Sequence, residues 1–155
     1  MTITFTLDIE PKTVQNSNRT MVRFGKALHY VDGKKKSYTK DMVALCSQYS
    51  PTYPMLGPIS LRIRFYRTRP KYMLARKYSQ DMLWCPTRPD VDNLYKGTID
   101  ALSKAGFWAD DAQIVEAQMS KVFHRTGERP CMKVEVTSAD PYPWEYVWRK
   151  SSNED

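Results

Sequence analysis

The residues with the greatest chemical reach lie in two short stretches, Arg88-Pro89-Asp90-Val91-Asp92-Asn93-Leu94-Tyr95-Lys96 and Trp108-Ala109-Asp110-Asp111-Ala112-Gln113. Pro89 disfavours helix at Arg88, so the first stretch is expected to enter extended. In extended chain, residues i and i+2 share a side, which predicts that Asp90 and Asp92 converge. A helix follows, with Lys96 one turn beyond Asp92 on a polar face that also carries Asp100 and Ser103. The second stretch leads from that helix back toward a sheet and can return another carboxylate to the same rim. Clustered carboxylates repel one another and take up protons unless a cation neutralises them. Hard oxygen donors select Mg²⁺, with Mn²⁺ as its substitute. Such an ion activates water and stabilises the leaving oxygen of a phosphodiester, and a lysine adds positive charge for the phosphate oxygens. This is the equipment of a metal-dependent nuclease.

Plainer readings exist for the same residues. Asp92 can cap the helix, contributing about 0.5–2 kcal/mol. Asp110 reads as a turn residue rather than a ligand, because neighbouring residues on a strand point apart. Asp100 either orients Lys96 from behind the ligands or forms an exposed i, i+4 pair with it, worth only about 0.2–0.5 kcal/mol. Trp108 reads most simply as a core anchor.

The elements that must hold these residues follow from periodicity. Ile3, Phe5, Leu7 and Ile9 alternate with polar residues, predicting a strand that ends at Pro11. Residues 19–31 read as a second strand and Asp32-Gly33 as a turn. Residues 37–50 read as a short helix stopped at Pro51. Ile59, Leu61, Ile63 and Phe65 alternate with Ser60, Arg62, Arg64 and Tyr66, the clearest strand in the chain. Residues 68–86 lack periodicity and read as a long loop. Residues 93–105 carry Tyr95, Ile99 and Leu102 at helical spacing, closed by Gly106. Residues 113–125 and 131–137 alternate and are expected to form a hairpin. The aromatic stretch of Tyr142, Trp144, Tyr146 and Trp148 belongs to an irregular tail over residues 140–155. Together these elements predict one α+β domain spanning residues 1–155, with a mixed β-sheet packed against helices.

The 155 residues carry 24 Lys+Arg against 17 Asp+Glu, a formal charge of +7. Residues 1–80 hold 15 bases and 4 acids, whereas residues 81–155 hold 9 and 13. The basic half suits a polyanion, and the acidic half contains the candidate site. From Arg62 to Lys77 there are seven bases (Arg62, Arg64, Arg67, Arg69, Lys71, Arg76, Lys77) and no acid. With Arg88 they are the expected DNA contacts, through phosphate neutralisation. The rival reading is a solvated charged face. Tyr66, Tyr72 and Tyr78 are placed to stack on opened bases or to pack on the sheet. Cys46, Cys85 and Cys131, without C-x-x-C spacing, predict reduced thiols in a cytoplasmic protein, and no apolar run suggests a membrane span.

PDVDNLYKGTIDAL followed by WADDAQIVE resembles the acidic motif region of the RusA-type Holliday junction resolvases, a family of bacteria and their phages. The strong match covers roughly residues 88–116, and a weaker one includes Pro11-Lys12, Arg19, Arg23 and Tyr30. The resemblance implies a RusA-like fold, with Asp90, Asp92 and Asp111 binding Mg²⁺ and Lys96 as catalytic lysine. It further implies a homodimer acting on branched DNA, especially four-way junctions. Where the family often has a basic residue beside the first aspartate, this chain has Pro89, with Arg88 one position earlier. A non-catalytic junction- or fork-binding protein and a nuclease for flaps and other branched DNA are the alternatives.

Overall fold

The computed structural model describes residues 1–13, 18–23, 25–31 and 33–138, without the side chains of 18–23, 27–31, 33 and 35. Residues 139–155 fall outside it, and with them the expected irregular tail and its aromatic residues.

Five strands form one mixed sheet. They are β1 (Thr2–Leu7), β4 (Ile59–Arg67), β5 (Leu83–Trp84), β6 (Ile114–Phe123) and β7 (Cys131–Ser138), in spatial order β1-β7-β4-β6-β5. β2 (Asn18–Arg23) and β3 (Lys26–Val31) make a separate antiparallel hairpin. The single strand expected over 19–31 is therefore two. Gly25 sits between them at φ 71, a left-handed conformation that glycine adopts without steric penalty and that reverses the chain.

β4 is central because its pattern suits burial on one face and pairing on both edges. Ile59, Leu61, Ile63 and Phe65 are fully enclosed. Leu61, Ile63 and Phe65 stand in register with Val136, Val134 and Met132 of β7, and beyond these with Ile3, Phe5 and Leu7 of β1. The apolar sheet face so formed is covered by α1 (Gly33–Ser47) and α2 (Val91–Lys104), which also touch each other. Met42 and Cys46 of α1, and Leu94, Ala101 and Leu102 of α2, complete the core. The opposite sheet face is polar, carrying Thr4, Arg62, Arg64, Ser120, Lys133 and Glu135 around a shallow cavity of about 380 Å³.

The hairpin expected from residues 113–137 does not form. β6 runs parallel to β4 and β7 antiparallel to it, so β4 separates them. The connection from His124 to Pro130 easily spans the roughly 10 Å across one intervening strand. With four inward apolar residues, β4 gains more from the central place than a direct β6–β7 pair would leave it.

α1 begins earlier than expected. Lys34 and Lys36 lie in its first turns, where good helix propensity extends a helix without apolar periodicity. The loop over 68–86 contains a 3₁₀ turn at Lys71–Leu74 and the two residues of β5. α2 closes with Gly106 at φ 85. Its N–H donates to Ser103 O and that of Phe107 to Leu102 O, a Schellman closure that sends Phe107 and Trp108 into the interior.

Candidate active site

α2 and the start of β6 carry the candidate chemistry. α2 buries Leu94, Tyr95, Thr98, Ala101 and Leu102. Asp92, Lys96 and Asp100, four residues apart, form one exposed stripe beside that face. A cavity of about 570 Å³ runs between α2 and β6, lined by Tyr95, Lys96, Asp100, Asp111, Ile114 and Ala117. Lys96, Asp100 and Asp111 thus meet on one concave surface. Asp90 and Asp92 stand outside its lining, at the N-terminal end of α2.

The two aspartates do not converge by strand geometry. The helix starts at Val91, so Asp90 occupies the N-cap position and Asp92 lies inside the first turn. An acid in the first turn is favoured by the partial positive charge of the helix N-terminus, which draws the boundary forward. Asp90 nevertheless makes no side-chain cap, and neither Asp90, Asp92 nor Lys96 has a side-chain hydrogen-bond or ion-pair partner among the described residues. Capping therefore does not account for Asp92, and the i, i+4 pair of Lys96 with Asp100 is not formed.

The turn after α2 is built to present Asp111. Asp110 caps the short 3₁₀ turn Asp111–Gln113, accepting from the Ala112 N–H at 2.8 Å, as its turn reading requires. Gln113 closes the reciprocal half: its Oε1 accepts from the N–H groups of Ala109 and Asp110 at 2.9 and 3.0 Å. Its Nε2 donates to Met55 O and Gly57 O, so one buried amide ties the turn to the loop before β4. Asp-x-x-Gln is a capping-box spacing, so this role of Gln113 was legible in the sequence. Trp108 is 2% exposed, a core anchor as expected, and its indole N–H also donates to Asp111 Oδ1 at 2.7 Å. Tyr95 faces the same cavity, and burial, with the negative charge of Asp111 in second place, pushes its phenol up to about 12.

Lys121 has a role that sequence reasoning missed. On β6, its ammonium donates to the carbonyls of Thr87 and Pro89 and so fixes the entry into α2. The Arg88–Pro89 peptide in that entry is cis. No spacing signal in the sequence marks this contact.

The carboxylates of Asp90 and Asp92, without side-chain partners among the described residues, and that of Asp111, with one oxygen bonded to Trp108, are hard oxygen donors of the kind that Mg²⁺ prefers. As the side chains stand, no three Asp, Glu, His or Cys among the described residues are gathered closely enough to hold a metal ion. Asp90, Asp92 and Asp111 are all exposed; rotation about their side-chain bonds is open to Asp90 and Asp92, while Asp111 is tethered through one oxygen to Trp108.

Residues 8–137 match the family described as Endodeoxyribonuclease RusA. The chain belongs to the RusA family. Over 140 residues it is 36% identical to Uncharacterized protein YqaN of Bacillus subtilis (strain 168), covering 86% of this chain and 94% of that protein. Over 106 residues it is 28% identical to Crossover junction endodeoxyribonuclease RusA of Escherichia coli (strain K12), covering 68% and 75%. A shorter stretch of 35 residues is 57% identical to the crossover junction endodeoxyribonuclease rusA of Enterobacteria phage 82, covering 23% and 29%.

The basic residues of this RusA-family chain fall into three groups. Lys71, Arg76, Lys77 and Arg88 are exposed around the loop and the α2 entry, with the Lys77 ammonium 5.2 Å from the Tyr78 ring centroid. Arg62 and Arg64 lie on the helix-free sheet face, donating to Gln118 and Ser120, with Arg62 also 3.3 Å from Glu135. Arg67 and Arg69 turn inward. Arg67 donates to Pro11 O and pairs with Glu10 at 3.5 Å. Arg69, expected among the DNA contacts, is 4% exposed and donates to the carbonyls of His124, Met73, Ser79 and Asp81. That corrects its assignment: the guanidinium organises the 68–86 loop and has no surface to offer a phosphate. Tyr66 is buried against the sheet beneath Lys133, whereas Tyr72 is exposed and meets Tyr78 edge-on.

Cys46, Cys85 and Cys131 are free thiols. Among the described residues no helix is long and apolar enough to cross a membrane.

Proposed function

We propose that this chain is a Mg²⁺-dependent endonuclease that resolves four-way DNA junctions. Its RusA-family membership supports the reaction class. The observation that carries the reading is the set of side chains without protein partners, Asp90, Asp92 and Lys96, along α2 beside an Asp111 held in place by Trp108. Asp90, Asp92 and Asp111 would hold the ion, which supplies an activated water and neutralises charge on the phosphodiester. Lys96 brings a positive charge to the cavity that it lines with Asp111, where it would stabilise charge developing on the phosphate oxygens. Lys71, Arg76, Lys77 and Arg88 bind the backbone on either side of the cut. The working unit is a homodimer, which presents one such site to each of two opposed strands; sedimentation showing only a monomer at micromolar concentration would overturn that assignment.

Cleavage of a synthetic four-way junction tests the activity. Wild type is expected to cut only with divalent metal, and Asp92→Asn to bind the junction without cutting. Undiminished cutting by Asp92→Asn in chelator would sink the reading. A second reading, a junction-binding protein without catalysis, is favoured by the carboxylates not standing together in the present rotamers. Binding with no cleavage across Mg²⁺ and Mn²⁺ would establish it. Flap and fork substrates in the same assay separate junction preference from a general taste for branched DNA.

A further inference from the structure

Tyr95 carries a buried hydroxyl with nothing to bond to. The residue is 8% exposed, and its oxygen is the one buried side-chain polar atom without a hydrogen-bond partner among the described residues. Buried polar groups are nearly always bonded, so an orphan in a native fold calls for an explanation. Phenylalanine would fill the same space on α2 with no unsatisfied oxygen. Tyr95 shares the lining of one cavity with Lys96 and Asp111, its hydroxyl enclosed behind that lining. Having essentially no accessible surface, it is out of reach of a DNA phosphate. Asp111 is exposed, and among the described residues its carboxylate is held through one oxygen, which accepts from the Trp108 indole N–H at 2.7 Å, leaving the second oxygen open.

We propose that Tyr95 is a positioning residue for Asp111, its hydroxyl donating a hydrogen bond to the second carboxylate oxygen when Asp111 turns toward a cation. Indole N–H and phenol O–H then fix the carboxylate plane from two sides. Outer partners of this kind set the orientation and affinity of metal ligands. The inference rests on Asp111 being a ligand, as in the proposed function.

The test is Tyr95→Phe in the full chain, titrated with Mg²⁺ alone by calorimetry, with melting temperature followed in parallel. The variant is expected to melt at or above the wild-type temperature without Mg²⁺, because an unsatisfied hydroxyl is gone, and to bind Mg²⁺ roughly tenfold more weakly. Its Mg²⁺-induced rise in melting temperature should shrink accordingly. In an Asp111→Asn background, adding Tyr95→Phe should leave that rise unchanged. Wild-type Mg²⁺ affinity in Tyr95→Phe would overturn the positioning role while leaving the metal site standing. Absence of Mg²⁺ binding by the wild type would instead remove the metal reading and this inference with it.

Discussion

Lys96 illustrates how a side chain's surroundings separate a chemical role from a structural one. A lysine on an exposed helix face normally finds an acid one turn away, and Asp92 and Asp100 both stand at that spacing, yet neither pairs with it among the described residues. Its charge is therefore directed into the cavity. Replacing Lys96 by methionine keeps the aliphatic stem and removes the charge. Junction cleavage is expected to fall about 10²–10³-fold with little change in melting temperature, read by single-turnover kinetics and thermal unfolding. Unaltered turnover would take Lys96 out of the mechanism. Its candidacy was plain from sequence, since Asp-x-Asp-Asn-Leu-x-Lys fixes it one helical turn from an acid. Arg69 was not, because one more base in a basic run looks like the rest. Only the folded loop shows four carbonyls converging on its guanidinium.

At the level of elements, the site depends on how firmly the turn after α2 is tied down. Gln113 is buried and uses both ends of its amide, joining the Asp110 turn to the loop before β4. Gln113→Ala leaves those backbone groups without partners, and each such group costs about 1–3 kcal/mol when it stays buried. The variant is expected to lose at least about 2 kcal/mol in urea unfolding and to release Asp111 from its place, so activity falls even below the melting transition. Stability within a few tenths of a kcal/mol of wild type would contradict the clamp. α2 and β4 were legible because each repeats apolar residues at its own period. The order of the sheet was not. Adjacency along the chain suggested a β6–β7 hairpin, while the strand that separates them is recruited from more than forty residues upstream of β6 by the burial of Ile59, Leu61, Ile63 and Phe65. The start of α1 was hidden for a related reason, since its lysines lack the apolar repeat by which a helix is recognised.

For the whole molecule, the charge asymmetry takes on a spatial meaning. The net charge of +7 marks a polyanion binder, and the fold sorts its bases into exposed ones and ones engaged in structure. Arg88→Ala is expected to weaken junction binding and lower the slope of log affinity against log salt by about 0.9, without affecting stability. Arg69→Ala should do the reverse, lowering the melting temperature while the folded fraction keeps the wild-type salt slope. A gel-shift series across salt concentrations, alongside thermal melts, distinguishes the two arginines, and matching behaviour would contradict their separate roles. β1, the first strand of the sheet, pairs along its length with β7, the last, and the Ser138 N–H donates to Met1 O at 2.9 Å. During synthesis, therefore, β1 cannot pair early, although the β2–β3 hairpin needs no later strand. The strand bearing Phe5 and Leu7 must wait until Cys131–Ser138 has left the ribosome, and β4 has an open edge until the same moment. So high a proportion of distant pairings places the chain among slow folders, on the order of milliseconds to seconds. A nascent chain stalled before Cys131 would hold Asp90, Asp92 and Asp111 on an unfinished sheet, and the frame around them closes only when Cys131–Ser138 pairs with both β1 and β4.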